Sequence, residues 1–207
     1  TAAGELFDID TALRPNGNSG PPVVSLAMLE EYFQTQGREW ERYAWIKARP
    51  LCGARGADLA TLARPFIFRK YLDYGAINAM RELHAQIRRE VARKDMANNI
   101  KLGPGGIREI EFIAQVFQLI RGGRDKALQI RPTLQVLRLL AGRGILVEAA
   151  VRELDAAYRF LRNLEHRLQY LDDQQTQELP EKPEDREIIA AAMGYADYAA
   201  LLIDLDR

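Results

Sequence analysis

Apolar residues recur every three or four positions along most of this chain, the period of helices that bury one face. Leu26, Leu29 and Phe33 follow Ser25, whose hydroxyl suits a helix N-cap. Trp40, Tyr43, Ala44 and Ala48 predict a second helix, set off from the first by Gly37 and ended near Pro50. Both tryptophans, Trp40 and Trp45, and Tyr43 are expected in the core of this helix pair. Leu51 to Ala57 reads as a linker of small residues, and Pro65 as the residue before an aromatic helix start over Phe66 to Tyr74. Ile77, Met80, Leu83, His84, Ile87 and Val91 predict an amphipathic helix.

A glycine turn, Gly103-Pro104-Gly105-Gly106, then opens into a helix running through Leu119. That helix carries an apolar stripe and a stripe of Arg108, Glu111, Gln115 and Gln118. Leu134, Val136, Leu137 and Leu140 predict a short helix stopped by Gly142 and Gly144. Leu154, Ala157, Leu161, Leu164, Leu168 and Leu171 predict a long one over Val151 to Leu171. Pro180 and Pro183 close that region, a helix over Asp185 to Met193 stops at Gly194, and Tyr198 to Leu205 adds a last turn or two. The period switches to two in one place only. Over Leu6 to Leu13, Phe7, Ile9, Thr11 and Leu13 alternate with Leu6, Asp8, Asp10 and Ala12, which predicts a strand. A strand cannot stand alone, because its backbone groups need partners. With no initiator Met at Thr1, the chain is expected to be a piece of a longer protein.

Composition narrows the function classes. Lys+Arg 29 balance Asp+Glu 29, so no global charge points to nucleic acid or a membrane surface. A single cysteine, Cys52, excludes an internal disulfide framework and suits a reducing, cytoplasmic compartment. Two histidines and one cysteine argue against a Cys/His zinc site. No apolar run reaches the roughly 18 residues of a membrane span.

Several residues carry candidate chemistry. Asp8 and Asp10 share one face of the predicted strand, an arrangement that either holds a hard cation such as Mg²⁺ or is a solvated edge. Arg14, at the strand's exit, either forks onto phosphate oxygens or pairs with those carboxylates. Lys101 and the amides of Gly105 and Gly106 either meet an anion at the helix start or form a tight turn needing positive φ. The turn is neither a P-loop nor a dinucleotide fingerprint, because the spacings differ and no strand leads into it. Glu111, Gln115 and Gln118 are expected to face Arg159, Arg162 or Glu165 of the long helix in an ordering polar network. His84 reads as a core histidine, and His166 and Cys52 as surface residues without catalytic partners.

Four ordered blocks go further: FDIDTALRPNGNSG at Phe7 to Gly20, QGREWERYAWIKAR at Gln36 to Arg49, NIKLGPGGIREIEFIAQVFQLIRGGRD at Asn99 to Asp125, and LRNLEHRLQYLDDQQTQELP at Leu161 to Pro180. Together they resemble the bacterial glutamine synthetase adenylyltransferases, bifunctional enzymes that add and remove AMP on a glutamine synthetase tyrosine. The second and third blocks look like the N-terminal, adenylyl-removing half. The resemblance implies a mainly α fold, a helical bundle preceded by a β remnant of a polymerase-β-like nucleotidyltransferase core. It divides the chain into residues 1–57, the end of that core, and 58–207, the bundle. It implies phosphorolysis, in which phosphate attacks the AMP–tyrosine linkage to give ADP. Asp10 falls where the family's third metal carboxylate stands, so the resemblance makes it the catalytic Mg²⁺ ligand; Asp8 is not part of that set. Arg14, Lys101, Gly105 and Gly106 become the expected nucleotide and phosphate contacts.

The family's preceding G-S…D-x-D carboxylates have no counterpart before Asp10 here, so the chain alone is expected to be inactive. Implied partners are glutamine synthetase, a PII-type nitrogen signal protein, ATP or ADP and phosphate, with no nucleic acid and no membrane. Two other readings compete: a helical module that binds glutamine synthetase or the PII-type protein, and a part of the related PII uridylyltransferase.

Overall fold

The computed structural model of the chain describes residues 14–70, 98–171 and 175–206, with the single positions 78, 82, 85 and 89. The predicted strand over Leu6 to Leu13, with Asp8 and Asp10, lies outside the described residues, as does His84. Among the described residues there is no strand, only an isolated antiparallel bridge between Asn99 and Glu178. Everything else regular is helical: α1 Leu26–Thr35, α2 Glu39–Trp45, α3 Gly56–Ile67, α4 Ile107–Arg121, α5 Thr133–Gly142, α6 Glu148–Tyr170, α7 Pro183–Ala192 and α8 Tyr198–Leu205. Asn78, Glu82, Ala85 and Arg89 are helical too, and all four are exposed.

Local chemistry explains most boundaries. Ser25 Oγ accepts the Met28 amide at 3.2 Å and caps α1 as its sequence position predicts. Gly194, at φ 84°, takes the left-handed conformation that ends α7, one residue from the C-cap Met193. The helix predicted to begin at Phe66 is corrected: α3 already runs from Gly56 and ends at Ile67, with Pro65 inside its last turn. Leu59, Leu62, Ala63 and Phe66 repeat at three and four and make one buried stripe, which outweighs the single hydrogen bond Pro65 removes so near the end.

Two hydrophobic clusters form. Leu29, Phe33, Ile46, Ala63, Phe66 and Ile67 gather α1, α2 and α3 around stacked rings of Phe33 and Phe66, 4.2 Å apart at 5°. The expected residue-57 boundary falls at the start of α3, which shares this cluster with α1 and α2. Leu128, Val136, Leu137, Leu140 and Leu164, all at 0% exposure, centre the second cluster between α4, α5 and α6, and Ile189 and Leu201 add α7 and α8 to it. Each such side chain contributes about 1.5–3 kcal/mol on burial. Helix α4 serves both clusters, giving Leu119 to the first and Ile110 and Ala114 to the second. Trp45 packs edge-on against Phe33 at 5.1 Å, and Tyr43 reaches Phe112 of α4 at 5.6 Å. Trp40 is not a core residue: it is 39% exposed beside Arg14, Tyr32 and Glu41 in a shallow cleft.

Candidate functional site

The glycine turn is held by its own backbone. Asn99 Oδ1 accepts the amides of Lys101 (3.1 Å) and Leu102 (2.9 Å), and Asn99 O accepts that of Gly103 (2.7 Å). Gly105 sits at φ 72°, a conformation glycine adopts without penalty. A Cβ on Gly106 would lie 2.8 Å from three carbonyl oxygens, those of Ile100, Lys101 and Gly103, so only glycine lets the chain double back this closely. The amides expected to cradle an anion are committed inside the turn: Gly105 N–H donates to Glu109 Oε2 (3.0 Å) and Gly106 N–H to Gly103 O (3.0 Å). The next two, Ile107 and Arg108, donate to Ile100 O and Lys101 O. What the turn presents outward is the Lys101 side chain. Its ammonium lies 3.5 Å from Glu165 of α6, whose other carboxylate oxygen pairs with Arg162.

Past the turn, the polar stripe of α4 forms a seam against α2, the start of α5 and α6. Tyr158 donates to Glu111 Oε1 at 2.9 Å. Lys47, on the segment leaving α2, donates to Arg131 O (2.6 Å) and Thr133 Oγ1 (2.8 Å). Gln118 Nε2 donates to the loop carbonyls of Leu128 (2.7 Å) and Ile130 (2.6 Å). The stripe thus meets the long helix, as its pattern predicts, but through Tyr158; Arg159 turns to Asp155, and Arg162 stays with Glu165 on its own helix. Loop carbonyls carry no sequence signature, so the partners of Gln118 and Lys47 were not legible in the chain.

Burial sets the seam's electrostatics. It pushes the Tyr43 hydroxyl well above its ordinary range, with Arg108 opposing and Glu111 adding. It pushes Tyr158 up as well, reinforced by the Glu111 carboxylate, and pushes Lys47 down, with Glu111 opposing. A tyrosine whose folded pKa is raised contributes stability that is complete below its unfolded value, near 10, and lost as the pH rises toward the folded value. Tyr43→Phe removes a titrating hydroxyl, so its denaturation midpoint is expected to fall less steeply above about pH 10 than that of the unsubstituted chain. Parallel alkaline limbs in urea titrations of the two proteins would sink this assignment.

Arg14 stands apart from the seam. Its Nε donates to Gly20 O at 3.3 Å, and it lines the cleft of Trp40 and Trp45. Among the described residues no group of three His, Cys, Asp or Glu side chains is placed to hold a metal ion. A hard cation needs several oxygen ligands, so the described residues by themselves do not fit one. None of the helices among them is long and apolar enough to cross a membrane.

Three of the four ordered blocks therefore converge on one place: α2 with Tyr43 and Lys47, the turn and α4 with Lys101 and Glu111, and α6 with Glu165. Comparison with known proteins gives this convergence a class. The family model described as GlnD PII-uridylyltransferase matches residues 81–206, and the model described as glutamate-ammonia ligase adenylyltransferase matches residues 1–64. The gap between the two matches falls where α3 ends. The chain thus belongs to the PII-uridylyltransferase family over most of its length. Along its whole length it is also similar to proteins named bifunctional glutamine synthetase adenylyltransferase/adenylyl-removing enzyme. A protein of that name from Aromatoleum aromaticum is 66% identical over 207 residues, all of this chain and 22% of the relative. One from Chromobacterium violaceum is 67% identical over 208 residues, again all of this chain and 23% of the relative. One from Neisseria meningitidis serogroup B is 58% identical over 97% of this chain and 22% of its own length. The chain spans less than a quarter of these relatives.

Proposed function

We propose that this chain is the part of a glutamine synthetase adenylyltransferase/adenylyl-removing enzyme where the nucleotidyltransferase core passes into its helical domain, and that it serves the adenylyl-removing reaction. An oxygen of inorganic phosphate attacks the phosphorus of the AMP–tyrosine linkage. The bond from phosphorus to the tyrosine oxygen breaks, that oxygen takes up a proton, and ADP leaves. Lys101 and Arg14 hold phosphate charge, and Asp10 would supply one oxygen ligand to a Mg²⁺ ion, whose charge would offset that on the phosphate oxygens. Glutamine synthetase is the macromolecular substrate, and a PII-type protein is the regulatory partner.

The observation that supports this reading most is spatial. Segments centred near residues 45, 105 and 162 meet: Tyr43 packs on Phe112 at 5.6 Å, Tyr158 donates to Glu111, and Lys101 pairs with Glu165. A merely structural helix pair has no need of a half-buried lysine, a half-buried tyrosine and a buried glutamate at one junction, because each costs desolvation.

The test uses the full-length enzyme with adenylylated glutamine synthetase and inorganic phosphate, following ADP. Asp10→Asn is expected to slow ADP release by about 100-fold or more, the scale of losing a metal-site carboxylate. A rate within twofold of the parent enzyme, or transfer of UMP to a PII-type protein in place of ADP release, would overturn the proposal.

A further inference from the structure

Glu165 is 2% exposed, yet it carries two cations on its two carboxylate oxygens: Lys101 from the glycine turn and Arg162 from one turn earlier on its own helix. The cations themselves are not buried. Their side chains are 41% and 39% exposed, against 3% for the carboxylate between them. Among the described residues neither has another side-chain partner. Arg162 offers five N–H groups and Lys101 three, and the carboxylate engages only part of that supply. Because the two cations share one carboxylate and are about two-fifths exposed while it is buried, donors remain on each that solvent or an anion can reach. Arg162 also acts on the Tyr158 hydroxyl, which ties the pair to the seam.

The turn that delivers Lys101 is also pinned. Ile100 N–H donates to Gln177 O (3.0 Å), Leu179 N–H donates to Asn98 O (3.0 Å), and Asn99 Oδ1 ties down the Lys101 amide. A lysine on a mobile loop loses side-chain entropy on binding; here the backbone is fixed and the ammonium is already tethered. We infer that Lys101 and Arg162, held side by side by the buried carboxylate of Glu165, form a two-pronged clamp for a phosphate group, with Glu165 as its positioning residue. The inference deepens the proposed function and rests on its reading that inorganic phosphate is consumed; it adds Arg162 and Glu165 to the residues that meet or place that substrate.

The charge-neutral variant Glu165→Gln separates a clamp from a mere basic patch. Deleting a negative charge from a patch tightens anion binding. Deleting it from a clamp releases both cations and weakens binding. Inorganic phosphate is titrated into the 207-residue chain at constant ionic strength and followed by ³¹P NMR, with helicity checked by circular dichroism. Saturable binding is expected, weakened about tenfold by Arg162→Gln or Lys101→Gln, less by Arg162→Lys, and weakened rather than strengthened by Glu165→Gln. In the full-length enzyme Arg162→Gln is expected to raise KM for phosphate more than it lowers kcat. Absence of saturable binding, equal affinity in Arg162→Gln, or tighter binding in Glu165→Gln overturns the clamp. Asp10→Asn does not enter the titration, so phosphate binding can hold while the proposed reaction fails, and the reverse.

Discussion

Arg42→Ala is expected to destabilise the chain by about 3–5 kcal/mol, the cost of removing one member of a buried charged network. Arg42 is 0% exposed. Its Nε donates to Phe66 O at 2.9 Å and its Nη2 to Ile67 O at 2.9 Å, while Nη1 pairs with Glu39. Those two carbonyls are the orphan acceptors at the end of α3, so the guanidinium of one helix caps another. Alanine leaves both buried and unpaired and opens a cavity the size of the side chain. Glu39 is less affected, because it is 28% exposed and also pairs with Arg69 at 3.2 Å. Lysine preserves the charge but cannot reach two carbonyls and a carboxylate with one nitrogen, so Arg42→Lys is expected to cost about half as much. Urea denaturation at constant m-value measures both. A loss below about 1 kcal/mol for the alanine variant would show that α3 is capped by something else.

Gly123→Ala is the second large effect, at about 3 kcal/mol. A Cβ there would sit 2.0 Å from Arg69 O and 2.4 Å from its carbonyl carbon, both backbone atoms that cannot swing aside. The segment after α3 lies directly on the turn after α4, and Arg124 Nε reaches Lys70 O at 3.3 Å across the same contact. The first helical cluster is thereby seated on the second. Gly142, inside α5, meets nothing within 4 Å of a built Cβ, and there the same substitution is expected to stabilise by about 0.5–1 kcal/mol through lower unfolded-state entropy. The opposed signs at two glycines, read as shifts of the thermal or urea midpoint, test whether close backbone approach governs Gly123. Equal shifts would remove that account.

The helices were legible where one stripe of apolar residues repeats for two turns or more. The pattern over Val151 to Leu171 lies within three residues of α6 at its start and one at its end, and that over Tyr198 to Leu205 matches α8 at both ends. At Phe66 the proline signal and the stripe of Leu59, Leu62, Ala63 and Phe66 conflict, and the stripe wins because Pro65 removes one hydrogen bond while four apolar side chains are covered. The type and spacing of Trp40 suit the core, yet it is exposed, because nothing local says which flank of a short helix faces solvent. In the site, the turn and Lys101 stood out by glycine pattern and resemblance. The burial of Glu165 and Arg42 did not, because an i, i+3 ion pair on a helix reads the same whether it is wet or dry.

Local residue patterns were enough for the helical class, the caps at Ser25 and Gly194, the glycine turn and the family resemblance, since each depends on residues close together in the chain. Folding in three dimensions set which amides of the turn stay available, which carbonyls Arg42, Lys47 and Gln118 satisfy, and the sharing of Glu165 by Lys101 and Arg162. Those outcomes depend on backbone groups brought together from far along the chain, and a carbonyl oxygen is the same in every residue.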